Sequence, residues 1–163
     1  MGRGSGQWHT GRIRVLKRFI VRCLNRVGLA GVALTLCVGL SAVRADVVLA
    51  VSARSHITSL SKGQVIDIFL GKSTRFPDGS PAVPIDQADG SAARDEFYSR
   101  FAAMGPAQLK AFWSKIIFTG RGQPPMAVST GIEAKKVLLA NPNAISYIDR
   151  SLVDDSVRVV LTP

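Results

Sequence analysis

The chain has 163 residues, 47% of them apolar, and a formal net charge of +10. Eight of its 21 Lys and Arg lie in residues 1–45, which hold no acid; residues 46–163 carry the other 13 beside all 11 Asp and Glu, a net of +2. That near balance leaves nothing asking for nucleic acid, whose backbone is gripped by clustered Lys and Arg.

The first predicted element is a leader. A basic region runs to Arg26, an apolar stretch follows from Val27 to Leu40, and Ser41-Ala42-Val43-Arg44-Ala45 puts small residues where a signal peptidase needs them. The apolar stretch is about 14 residues, against the roughly 20 that a bilayer span requires. The expectation is a signal peptide over 1–45, cleaved near Ala45, with export by the general route to the periplasm and membrane contact only through that leader. An uncleaved anchor is the competing reading. Cys23 and Cys37 both fall in the leader. Leu36 stands before Cys37 where a lipidation signal has a small residue, so a lipoprotein is not expected. Residues 46–163 hold no cysteine, which excludes disulfides and thiolate chemistry there.

Residues 46–163 are long enough for one domain with a real core. Val47–Val51 is a β-branched apolar run, a buried strand by pattern. Ser61-Lys62-Gly63-Gln64 is a capping box opening a helix that carries Val65, Ile68 and Phe69 on one face and stops at Gly71. Phe76-Pro77-Asp78-Gly79 is a turn. Ala82–Ile85 is a second strand, with Pro84 arguing for an edge or end position. A helix starts at Ser91, with Phe97, Phe101 and Met104 as its core stripe. Gly105-Pro106 opens the next, lined by Leu109, Phe112, Trp113 and Ile116. Phe118–Pro125 is a loop. Thr130-Gly131-Ile132-Glu133 is a second capping box, opening a helix to Ala140, and two strands close the chain near Ala144–Ile148 and Val157–Leu161. This alternation predicts an α/β fold, a sheet flanked by helices.

No catalytic set emerges. His56 is the one histidine of residues 46–163, in a polar loop, and no His/Asp/Glu group has metal-ligand spacing. Neither an enzyme, a metal nor a cofactor is expected. Ile85–Arg94 reads as strand, glycine turn and helix start. A helix N-terminus offers unpaired N–H groups and partial positive charge to an anion. Gly90 lets a ligand approach the backbone, Ser91 offers its hydroxyl and amide, and the Arg94 fork suits a phosphate or sulfate. The plainer alternative makes Gly90 a turn residue, Ser91 an N-cap and Arg94 a solvated charge. Asp86 and Asp89 lie close by and would repel an anion unless paired. Thr119-Gly120-Arg121-Gly122 is a second loop able to form an anion-receiving nest, with a simple connector as its alternative.

Leu60-Ser61-Lys62-Gly63-Gln64-Val65-Ile66-Asp67-Ile68-Phe69-Leu70-Gly71-Lys72 resembles the L-S-x-x-Q-(L/V)-x-x-I-F-x-G-K segment of phosphate ABC-transporter substrate-binding proteins. Asp89-Gly90-Ser91, followed by Arg94 and Phe97, resembles their anion loop, and Asn141–Ile148 resembles their P-G-A-I-G-Y-(V/I) strand. The resemblance implies a single lobe of a periplasmic-binding-protein (type II) like fold with a mixed sheet flanked by helices. It implies an oxyanion such as phosphate as ligand, with Gly90, Ser91 and Arg94 as its contacts. The partner it implies is a second chain or an ABC permease, in phosphate transport or sensing. The sequence departs from the family at Ala92, Ala93 and Ser146, and it has length for one lobe only. An envelope interaction or regulatory module that keeps the fold without tight anion binding is the alternative function.

Overall fold

The structure, a computed structural model, describes residues 46–161. The predicted leader, its cleavage site and both cysteines lie outside the described residues.

The elements follow in the order β1 (Val47–Ser52), α1 (Lys62–Phe69), β2 (Val83–Gln87), α2 (Ala92–Ala102), α3 (Pro106–Phe118), β3 (Met126–Val128), α4 (Gly131–Ala140), β4 (Ala144–Asp149), a 3-10 turn over Arg150–Leu152, and β5 (Val157–Leu161). The five strands form one sheet in the order β3-β2-β4-β1-β5. β2 runs parallel to β3 and β4, while β1 runs antiparallel to β4 and β5. The sheet is therefore mixed, as expected.

Strand geometry explains the apolar runs. Side chains alternate between the two faces, so a strand covered on both sides must be apolar throughout. Val47, Leu49 and Val51 of β1, with Ile145 and Tyr147 of β4, pack on one face under Val65, Ile68 and Phe69 of α1, Phe97 and Phe101 of α2, and Leu109 and Trp113 of α3. Val48 and Ala50, with Ile85, Ala144 and Ile148, pack on the other face under Ala134 and Leu138 of α4. Phe97 is the hub of the first layer. Its ring centroid lies 4.3 Å from Tyr147, 4.7 Å from Phe69 and 5.1 Å from Phe101. Each such pair contributes about 0.5–1.5 kcal/mol beyond area burial. Both layers draw on Val47 to Val160, and the described residues fall within one compact unit. The described residues thus carry both layers of the core.

The first capping box forms as the sequence predicts: Gln64 N–H donates to Ser61 Oγ at 3.3 Å, and Ser61 N–H donates to Gln64 Oε1 at 2.8 Å. Gly71 takes φ +70° past the helix end, with Trp113 Cη2 3.4 Å from where a Cβ would stand. The second box differs. Thr130 Oγ1 accepts from Glu133 N–H at 3.2 Å, but the Glu133 carboxylate accepts from Ser129 N–H, one residue before the cap. Pro84 sits at the start of an interior strand; pairing with β3 begins one residue later, at Ile85. β3 was not foreseen. It adds three residues to the exposed side of β2.

Candidate functional site

Parallel strands β2 and β3 end side by side. Gln87 lies opposite Val128, and Ala88 N–H donates to the Val128 carbonyl at 2.9 Å. Each strand then turns into a helix, α2 capped by Ser91 and α4 capped by Thr130. Two helix starts therefore stand at the carboxyl ends of neighbouring parallel strands, where open α/β sheets receive ligands.

Gly90 turns the chain at φ +80°, a conformation costly for residues with a Cβ. A Cβ there would meet nothing within 4 Å, so the turn is open. The Ser91 hydroxyl accepts from Arg94 N–H at 3.2 Å and keeps its own proton to donate. The Ser91 amide is not available as the sequence suggested, because it donates to the Ala88 carbonyl at 3.1 Å. The N–H groups of Ala92 and Ala93 have no partner among the described residues. The junction thus presents one hydroxyl and two amides.

Arg94 is not the solvated charge of the plainer reading. Its Nε donates to Asp86 Oδ2 at 3.1 Å, its Nη1 donates to Asp89 Oδ1, and its guanidinium carbon lies 5.5 Å from the centre of the Tyr98 ring. The two carboxylates differ: the side chain of Asp86 is 3% exposed and that of Asp89 86%. Burial opposes the Arg94 charge, but Asp86 and Asp89 outweigh it and raise its pKa.

Asp86 is the centre of the site's interior. Its Oδ1 accepts from Gln87 N–H at 2.8 Å and from the Tyr147 hydroxyl; its Oδ2 accepts from the Tyr98 hydroxyl at 3.1 Å and from Arg94. Gln87 Nε2 donates to the Tyr147 carbonyl at 3.0 Å. Burial, then the Asp86 charge, push both phenols far above the ordinary tyrosine range. The network ties the end of β2 to α2 and to β4. The sequence marked Asp86 only as a nearby charge. An acid at the end of an apolar strand was the available signal; Tyr98 and Tyr147 gave none.

The other candidates separate from this site. In the turn after α3, Gly120 N–H donates to the Ile117 carbonyl and Arg121 N–H to that of Ile116. These amides close the helix, so the predicted nest is a C-cap. Trp113 is buried in the core, as expected, and its Nε1 lacks a partner among the described residues. His56 is exposed and bonds to no serine or carboxylate among the described residues. No group of three or more His, Cys, Asp or Glu among them could hold a metal, and none of their helices is long and apolar enough to cross a membrane. A cavity of about 210 Å³ lined by Gln64, Asp67, Ile68, Ser73, Arg75, Phe76 and Pro77 shares no residue with the junction.

No protein-family model and no curated protein matches the chain. Solved structures do. A protein described as a phosphate ABC transporter substrate-binding protein, solved with bound phosphate, from Clostridium perfringens is 26% identical with a TM-score of 0.55. An ABC-type phosphate transport receptor from Vibrio cholerae is 17% identical with a TM-score of 0.56, and PstS from Borrelia burgdorferi is 13% identical with a TM-score of 0.53. Each match covers 71% of this chain but only 44–46% of the other. The chain spans less than half the length of these relatives, and its mixed, helix-flanked sheet is the periplasmic-binding-protein-like fold that they share over that part.

Proposed function

We propose that this domain is an exported, solute-binding-protein-like lobe that takes phosphate or a related oxyanion at the first turn of α2, without catalysis, in phosphate transport or sensing. The observation that carries the reading is the open β2–α2 junction, where Gly90 clears the approach and the Ser91 hydroxyl and the Ala92 and Ala93 amides face no protein partner. Such a terminus favours an anion through its free N–H groups and the helix dipole. Arg94 joins the contacts when its exposed partner Asp89 swings away, since Asp86 is fixed by its other donors. One lobe leaves the far side of the ligand in water, so tight binding requires a second surface, from another chain or an ABC permease.

Calorimetric titration of residues 46–163 with phosphate and with sulfate tests this. Saturable phosphate heat is expected. Ser91→Asp should abolish it, because aspartate keeps the helix cap but places a carboxylate where the anion sits. Asp89→Asn should strengthen it by removing a competing charge from Arg94. The absence of heat at millimolar phosphate, from protein shown to be folded, would overturn the reading. It would favour the second one, an envelope interaction module, which is supported by the engagement of Arg94 with the protein's own carboxylates.

A further inference from the structure

Charge along the domain is unevenly placed. Residues 97–132 contain Arg100, Lys110, Lys115 and Arg121 and no Asp or Glu. Arg100 pairs with Glu96. The side chains of Lys110, Lys115 and Arg121 form no ion pair or hydrogen bond among the described residues. Elsewhere, Arg54, Lys62, Arg75 and Arg158 donate to backbone carbonyls, and Arg94, Lys135 and Arg150 pair with acids. Lys72 pairs with Asp67, and Lys136 on α4 is unpaired among the described residues, so three of the four unpaired cations lie on α3 and the turn after it.

Large apolar side chains are exposed at the end of the same helix: Phe118 is 93% exposed and Ile117 54%. The turn that follows them is closed by hydrogen bonds. Thr119 Oγ1 donates to the Lys115 carbonyl at 2.9 Å, Gly120 N–H to Ile117 at 3.0 Å and Arg121 N–H to Ile116 at 3.1 Å, with Gly120 at φ +65°. Lys110, Ser114 and Ile117 share one stripe of α3, and Lys115 lies one turn before Phe118.

We propose that this tip docks on an anionic lipid surface. Unpaired cations around protruding apolar side chains, with no acid among them, complement a negative headgroup layer over hydrocarbon. A second copy of the chain fits worse, since a two-fold contact would set the same cations against themselves. A fluid interface accepts a convex aromatic tip without a preformed pocket, whereas a protein partner would have to supply one for Phe118. The contact is additional to the one expected through the leader, and it uses no residue of the β2–α2 junction.

Co-sedimentation of residues 46–163 with vesicles tests it, comparing phosphatidylglycerol-containing with pure phosphatidylcholine vesicles. Binding only to the anionic vesicles, weakening as salt is raised, is expected. Phe118→Ser should weaken it roughly tenfold, and the double variant Lys115→Gln/Arg121→Gln by about thirtyfold. These side chains are exposed, so the thermal midpoint should not move. Phosphate titration of Phe118→Ser should match the parent, which keeps this proposal separable from the anion site. No binding to anionic vesicles, equal binding to both kinds, or binding indifferent to these substitutions would overturn the proposal, the first leaving an acidic protein surface as the occupant.

Discussion

At the scale of the residue, Asp86 carries the most consequence. Four donors from β2, α2 and β4 converge on one buried carboxylate. Removing its charge leaves Arg94 and two phenols facing a group that cannot accept from all of them. Asp86→Asn is expected to cost about 3–5 kcal/mol in urea unfolding, the range for breaking a buried ionic cluster. The phenols add a pH dependence. Their pKa values are raised on folding, so the stability they hold is complete below the unfolded tyrosine value near pH 10 and is lost as pH rises beyond it. Unfolding free energy followed into the alkaline range should fall, and Tyr147→Phe should fall less steeply from a lower start. Ser91 and Gly90 were legible in the sequence, because a cap and a left-handed turn are local chemistry. The network beneath them was not: Tyr147 is 61 residues from Asp86 in sequence, and only the sheet pairing brings them together.

At the scale of the element, the helices declared themselves through their ends. Ser61 with Gln64, Pro106 after Gly105, and Thr130 with Glu133 each mark a start that the structure places at the same residue or the next. β3 escaped because three residues are too few to show periodicity; Met126–Val128 is a strand only because β2 offers it a parallel edge. The 119–122 turn misled for a related reason. Glycines beside an Arg suit an anion nest and a helix C-cap equally, and only the positions of the Ile116 and Ile117 carbonyls decide. Gly71 joins element to core, since its positive φ ends α1 where Trp113 closes over it. Gly71→Ala should cost about 1–2 kcal/mol from the left-handed conformation alone, read as a lowered thermal midpoint with unchanged far-UV dichroism.

At the scale of the whole molecule, the order of strands departs from the order of the chain. β1, the first strand among the described residues, lies inside the sheet between β4 and β5, with Val47 opposite Asp149 and Ser52 opposite Val157. Its apolar side chains find their neighbours only when residues 144–161 exist, and such distant pairings form slowly. During synthesis, therefore, β1 has no strand to pair with until residues 144–161 have been made. A truncation after Val153, which removes β5, should behave as an unfolded polypeptide in dichroism and in protease resistance, although it keeps the whole β2–α2 junction. If the chain is exported as proposed, late closure would act as a built-in delay, keeping the sheet open until β4 and β5 have been made.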